Sequence, residues 1–481
     1  MCMRKVIALL VAIAFLTASV MALAQPASSS TGGTENTWVP KAPMPQARAG
    51  LGVAVVDGKI YAIGGTTASG MYPPDCFNGS FVGTNEQYDP ATDTWTTKAS
   101  MPTPRDYFAI AAYGNKIYCI GGAVGIGYKE MLHSYFYITP GVNEVYDTGT
   151  NTWETKTPCP TIGMECQAHV INGKIYVIDG SRSYVYDPMT DSWSNKTRMP
   201  KPYPNYDSSI VSVDVNDKII VTFDFSELHP SMFTSHEQKV WIYDTETDSW
   251  SAGKTGTILV FGGAAVATTG MSAPQNVYVL GLERGHFPAI PTTNQVYDVV
   301  SDAWETASGM PTRRMDFGAA VVDDVVYVIG GHSYTSSKLD TVAPVAVNEQ
   351  YTPIGYGTIP PAVEVVSPVT HVYNESSVSL VFTLNKPVNW TGYSLDGGEN
   401  VTVAGNTTIS GLPNGLYNVT VYAKDAFGNT GVSETVSFTV AVPFPTVLVV
   451  APVVLVVVVG VVLAVYFKRR QTLRRDGAST A

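Results

Sequence analysis

Arg48, Arg105 and Arg313 each follow a Met-Pro step within a few residues, in Met44-Pro45-Gln46-Ala47-Arg48, Met101-Pro102-Thr103-Pro104-Arg105 and Met310-Pro311-Thr312-Arg313. A guanidinium offers a planar fork of donors that suits a carboxylate or a sulfate. Two readings are open: a basic arc that receives an anionic ligand, or arginines that pair with nearby acids such as Asp106 or Asp316 and tie segments together. Aromatic residues crowd several long loops, among them Tyr72, Phe81, Tyr128, Tyr135, Phe136, Tyr137 and Tyr334. They either stack on a sugar or peptide or fold down upon one another. His133, His229, His236, His286 and His332 can ligate a metal but come from separate loops without short ligand spacing, so no metal or cofactor site is expected. No nucleophile elbow, phosphate loop or zinc-hydrolase motif occurs, and no catalytic residue is assigned. Cys159 and Cys166 are the closest of the four cysteines beyond the leader. A disulfide between them and two buried thiols are both open.

These residues hang on a repeat. A Tyr and a Trp seven residues apart recur as Tyr88/Trp95, Tyr146/Trp153, Tyr186/Trp193, Tyr243/Trp250 and Tyr297/Trp304. Tyr351 lacks its Trp, and Trp38 lacks its Tyr. Each repeat reads as four short strands. In the first, Gly50–Val56 and Lys59–Ile63 flank the Asp57-Gly58 turn, Asn85–Pro90 follows a long loop, and Thr94–Thr97 begins the fourth strand. Repeats of this length must stack to bury their apolar faces. The tryptophans and tyrosines are therefore structural, each expected to pack between neighbouring sheets and to bury a large apolar area.

The order of diglycine, Tyr-Asp and Trp, with 40 to 58 residues between successive tryptophans of the pairs, resembles kelch repeats over residues 37–355. The diglycine is intact at Gly64-Gly65, Gly121-Gly122 and Gly330-Gly331 and degraded in the third to fifth repeats, Gly281-Leu282 standing in the fifth. The split pair implies that Thr37-Trp38-Val39 supplies the missing fourth strand beside Tyr351, which closes six blades into a ring. The resemblance also implies that Arg48, Arg105 and Arg313 line the channel mouth, as arginines hold acidic peptide in kelch adaptors of ubiquitin ligases. Galactose-oxidase-like proteins use the same repeat, so an extracellular carbohydrate-active enzyme is the alternative to a binder.

The ends of the chain set its expected location. Residues 1–24 read as a signal peptide, and the uncharged stretch 446–467 reads as one transmembrane helix. Lys468, Arg469, Arg470, Arg474 and Arg475 follow in 468–481, which places that tail in the cytoplasm. Net charge is −11; setting aside the leader (+2) and the tail (+4) leaves the remainder near −17, which argues against nucleic acid as a partner. Residues 361–441 alternate apolar and polar positions like a β-sandwich, and Tyr393–Gly397 through Tyr422–Asp425 resembles Ig-like modules of archaeal surface proteins. Asn374, Asn389, Asn400, Asn406 and Asn418 open glycosylation sequons there, with Asn78 and Asn195 upstream. The expectation is an all-β, single-pass cell-surface protein: a six-bladed propeller on an Ig-like stalk, binding an extracellular protein or glycan through its loop face.

Overall fold

The computed structural model describes residues 34–69, 81–129, 134–160, 163, 166–179, 182–200, 209–224, 240–256, 260–283, 291–334, 342–443 and 446–476. The chain divides into two compact units, Met1–Ile359 and Pro360–Ala481.

The first unit contains six four-stranded antiparallel sheets. Five are sequential meanders. Blade 1, for example, runs Gly52–Val56, Lys59–Ile63, Asn85–Asp89 and Thr94–Lys98. The sixth takes Gly318–Val322, Val325–Ile329 and Asn348–Thr352 from the end of the unit and Thr37–Lys41 from its start. Trp38 pairs there with Tyr351, as the split repeat predicts. The innermost strands touch their neighbours in unbroken cyclic order, so the ring is closed. Apolar clusters fill the seams; one joins Leu51, Ile60 and Tyr88 of blade 1 to Ala320, Tyr327 and Ile329 of blade 6.

Each Tyr/Trp pair is one part of a staple. The two rings lie 4.9–5.1 Å apart in all six blades. The tyrosine hydroxyl donates to an Asp or Asn five residues on (Asp93, Asn151, Asp191, Asp248 and Asp302), at 2.5–2.7 Å. In blade 6 the acceptor is Asn36, at 3.0 Å from the Tyr351 hydroxyl and supplied by the chain start. All six acceptors have φ between 48° and 57°, a left-handed conformation that Asn and Asp tolerate better than other non-glycine residues. Five of them also accept a backbone N–H from the preceding blade, at Ala42, Ala99, Thr157, Thr197 and Ser308. Each Trp indole donates to a carbonyl of that blade, at 2.7–3.0 Å.

The two aromatics of a pair do not share the burial expected of both. The tyrosines are buried in every blade, but Trp38, Trp95, Trp153, Trp193, Trp250 and Trp304 are only half-buried. The reason is position. Each Trp stands on the fourth strand, the outer edge of its sheet, and that strand has no further strand beside it. One face of the indole covers its Tyr and the seam cluster, while the rest meets solvent. The tryptophans Trp95, Trp153, Trp193, Trp250 and Trp304 act as lids on the seams and not as core. Their indole N–H bonds to the preceding blade, with Thr157 and Thr197 among the acceptors, add a directional link that burial alone would not give.

Blade 5 departs from the expected pattern. Its second strand runs through the degraded diglycine as Asn276–Glu283. The irregularity falls instead in the inner strand, between Phe261 and Ala264, at Gly262-Gly263. A Cβ at Gly263 would lie 2.1 Å from the Leu280 carbonyl, so glycine is needed at this bulge.

Of the two readings left open for Cys159 and Cys166, the structure shows the second: both are buried thiols. Each is held elsewhere: the Cys159 N–H donates to the Gly141 carbonyl, and the Cys166 thiol, just ahead of the strand Gln167–Ile171, donates to the Ile120 carbonyl at 3.7 Å. Burial pushes the Cys166 and Cys119 thiols up to about 12.

The second unit packs two sheets face to face. Val363–Ser367, Val378–Leu384 and Thr407–Ile409 form one, and the other centres on Gly415–Lys424, Trp390–Leu395 and Val436–Val440. Leu380 and Phe382 meet Val419, Val421 and Phe438 between them. A buried Lys386–Asp425 ion pair, at 2.7 Å, closes one end. A helix, Thr446–Asp476, ends the described chain. Among the described residues no helix is long and apolar enough to cross a membrane. The side chains described on this helix are those of 454–471, and they include Lys468, Arg469 and Arg470. The expected span at 446–467 is therefore not met on those residues.

Candidate functional site

A meander alternates ends, and the two ends of this ring are unlike. At one end, in five blades, the first two strands are joined by tight two-residue turns: Asp57-Gly58, Gly114-Asn115, Asn172-Gly173, Asn216-Asp217 and Asp323-Asp324. At the other end, connections grow into extra sheets. Between the second and third strands of blade 2 stands a two-stranded hairpin, Gly125–Lys129 and Ser134–Ile138. Blade 6 carries a three-stranded sheet of Arg314–Met315, His332–Tyr334 and Val342–Pro344.

The channel mouth lies on this elaborated end. Gly50, Tyr107, Gly262 and Asp316 all have φ between 48° and 61° just ahead of or within their inner strands. Their backbones link blade to blade: Asp316 N–H to Gly262 C=O, Gly50 N–H to Asp316 C=O, and Tyr107 N–H to Gly50 C=O, at 2.9–3.0 Å. They rim a pocket of about 100 Å³ that takes Leu51, Phe108, Gln167, Ile210, Gly263 and Phe317, one from each blade. Asp316 is the charged residue among its described lining. Its carboxylate lies 3.0 Å from Nδ1 of His332, whose Nε2 lies 3.2 Å from the Ala68 carbonyl.

The expected basic arc does not form at this mouth. Arg48 and Arg105 are fully buried and pair with Glu86 at 2.6 Å and Glu144 at 2.5 Å. Their terminal guanidinium nitrogens also donate to the Gly64, Thr84 and Ala62 carbonyls (Arg48) and the Thr103 and Cys119 carbonyls (Arg105). In blade 6 the equivalent residue is Arg314, also fully buried and 3.0 Å from Glu349. The reading in which the arginines tie segments together holds in kind, but the partners are glutamates of the third strand, not Asp106 or Asp316. Burial pushes the Glu86 carboxyl above its usual range and the Arg48 guanidinium below its own, and their attraction offsets this only in part. Burial takes Arg314 to about 10 against the opposing pull of Glu349. The sequence carries a usable signal: each of these arginines stands four residues after its Met, and each glutamate two before its Tyr.

Arg313 is half-buried instead, and its guanidinium lies 4.7 Å from the Tyr334 ring centre. The fold thus brings these two expected site residues together. Tyr137 is half-buried in the blade 2 hairpin, where Tyr128 and Phe136 are exposed. Tyr72, the Tyr135 side chain, Asn78, His133, His229, His236 and His286 lie outside the described residues. Asn195, Asn374, Asn389, Asn400 and Asn406 are exposed and Asn418 half-buried. Among the described residues no three His, Cys, Asp or Glu side chains converge as metal ligands.

One arrangement escaped the sequence reading because its members are far apart and lack a motif. His169 of blade 3 places Nε2 at 2.7 Å from the Ser212 hydroxyl and Nδ1 at 3.0 Å from Asp214, both of blade 4. The order is that of nucleophile, base and acid. Ser212, however, is only 4% exposed within a strand, where a substrate has no approach. Burial acts to raise the Asp214 carboxyl, and the hydrogen bond and charge of His169 overcome it and hold it below the usual range. The trio is a seam between blades.

Fold and staples define a closed six-bladed propeller of four-stranded repeats. A family model described as the Kelch motif matches residues 47–102. Kelch-like protein 15 of Danio rerio is 25% identical over 314 residues, covering 60% of this chain and 40% of that protein. Kelch-like protein terF of Aspergillus terreus is 25% identical over 279 residues, covering 50% of this chain and 54% of that protein. A solved structure described as "Structure of YjhT" is 16% identical and covers 63% of this chain and 96% of that one, with a TM-score of 0.45. The chain carries the Kelch motif and resembles Kelch-like proteins, while spanning less than two thirds of the length of these two Kelch-like relatives.

Proposed function

We propose that this chain is a non-catalytic recognition or adhesion protein of the cell surface, binding an extracellular protein or glycan on the elaborated end of its propeller. The observation that carries this reading is the asymmetry of the ring. One end is reduced to tight turns in five blades, while the other bears added sheets with exposed Tyr128 and Phe136 and the Arg313–Tyr334 pair. Exposed aromatics at the end of a closed ring are suited to contact with a partner. The second unit serves as an Ig-like stalk, and its outward-facing sequons suit glycans. The reading also takes the stretch 446–467 as an anchor, because it carries no charge and is followed by Lys468, Arg469, Arg470, Arg474 and Arg475.

Two experiments test this. Glycan arrays and intact cells probed with the region from Thr34 to Val442 are expected to yield a ligand whose binding falls at least about tenfold in a Tyr128→Ala/Phe136→Ala variant of unchanged melting temperature. Binding indifferent to both residues removes the loop-face assignment. Alkaline extraction of membranes from expressing cells is expected to leave the full chain in the pellet. A mature C-terminus near Val442, read by mass spectrometry, would mean the helix is a removed sorting signal.

A further inference from the structure

We propose that five of the six seams of the ring each bind one internal water molecule, held by the side chain that stands three residues before the staple tyrosine. That position is polar in five blades and apolar in one. It is Asn85, Asn143, Ser183, Asn294 and Asn348 in blades 1, 2, 3, 5 and 6, and Val240 in blade 4.

None of the five polar residues is more than 4% exposed. In the four asparagines the amide nitrogen is committed. It donates to the Ala99, Thr157, Ser308 and Ala42 carbonyls, at 3.1–3.4 Å. The same carbonyls accept the indole N–H of the following blade, from Trp153, Trp193, Trp38 and Trp95. Each amide also interacts with the staple tyrosine of that blade, Asn85 with Tyr146, Asn143 with Tyr186, Asn294 with Tyr351 and Asn348 with Tyr88. A carbonyl only accepts, so the amide cannot be turned end for end, and Oδ1 is fixed on its other side.

All four Oδ1 atoms are buried, and no N–H or O–H of the protein reaches them; the Ser183 hydroxyl likewise has no protein partner. An unmet buried acceptor costs about what a hydrogen bond contributes, and five together would rival the net stability of a domain. The same register carries the unmet oxygen in five blades, so it is a feature of the repeat and not an accident of packing at one place. Water is the donor that suits it: buried polar groups of globular proteins are commonly met this way, and residues this enclosed leave a larger molecule no entry. Blade 4 supplies the contrast. Val240 joins the apolar cluster between blades 4 and 5, beside Val211, Val213, Val260 and Tyr297, and offers no polar atom. That seam is dry.

Crystals of the full chain grown from detergent, diffracting well enough to show ordered water, test this. Density is expected at about 2.7–3.0 Å from each of the five oxygens, and none beside Val240. Asn143→Val, which copies blade 4, should lose the water of its own seam and keep the other four. Seams without density at these oxygens overturn the proposal, as does a protein donor that turns in to meet them. Water beside Val240 in the wild type, or water retained in Asn143→Val, also overturns it, because the side chain at this position would then not be what binds. Should Asn143→Val fail to fold, the wild-type map decides by the contrast between the five polar seams and the seam of Val240.

Discussion

Arg48, Arg105 and Arg314 each sit in a socket of backbone carbonyls and one glutamate, and blades 3 to 5 have no equivalent pair among the described residues. The three sockets lie in blades 6, 1 and 2, which are neighbours across the point where the ring closes. Arg48→Ala leaves Glu86 charged and buried without its partner, and the expected cost is about 3–5 kcal/mol in denaturant unfolding. A loss below about 1 kcal/mol would show that the site relaxes to admit water. Surface carboxylates act in the opposite sense. The Lys218 hydrogen bond, helped by the Thr247 N–H, holds Asp244 at about 2, below its ordinary 3.8. Its folded value is depressed, so its contribution is present above pH 3.8 and is lost as pH falls through about 2. The stability gap between wild type and Asp244→Asn should therefore narrow over that window, and a gap constant with pH would refute the assignment. Thiols make a third case. With Cys119 and Cys166 at about 12 and buried, neither should react with iodoacetamide at neutral pH before unfolding, and a reductant should leave the melting temperature unchanged.

At the scale of elements, the repeated unit is a staple between blades more than a blade itself. Tyr, Trp and the left-handed Asp or Asn bind each sheet to the one before it, six times around. The Tyr is sealed in the seam, and the half-buried Trp lies over it from the outer strand. The closing staple matters most, because Asn36, Trp38 and Tyr351 bring together residues 315 apart in the chain. Trp38→Ala is expected to destabilise the ring by about 3 kcal/mol, the low end for an aromatic truncation because its indole is half-buried. Removal of the chain up to Lys41 should abolish cooperative thermal unfolding, since it exposes the edge of Asn348–Thr352. An unchanged melting curve would mean the ring does not depend on this strand. The repeat was legible in five blades because Tyr, Trp and the Asp or Asn acceptor lie at fixed short offsets, and in the sixth because its two halves stand as orphans at either end of the unit. Those offsets carry no information on depth, so the unequal burial of Tyr and Trp was not legible. Blade 5 was less legible still: its bulge at Gly262-Gly263 answers to the Leu280 carbonyl, which no local spacing encodes.

For the molecule as a whole, two units with separate cores carry the chain. Calorimetry of the full protein is expected to show two unfolding transitions, and the Trp38→Ala variant should shift only the one that belongs to the ring. A single transition displaced as a whole would mean the units unfold together. The ring divides its labour by end. Tight turns and the staples close one end, while the elaborated connections gather at the other, where the hairpin of blade 2 and the Arg313–Tyr334 pair lie.

By itself the sequence determined the all-β class, the count of six blades and the borrowed strand, because these depend on spacings that repeat along the chain and survive in any register of side chains. It also exposed the aromatic character of the loops. Only the tertiary structure decided which arginine faces inward. Arg313 and Arg314 are adjacent in sequence, yet one stacks on an aromatic ring and the other is sealed against Glu349. A strand directs neighbouring side chains to opposite sides, so a one-residue difference in register separates a buried latch from a residue at the loop face. The same holds for Ser212, His169 and Asp214, which meet because two blades meet. Burial is a property of what lies across a seam, and the residues across a seam are not neighbours in the chain.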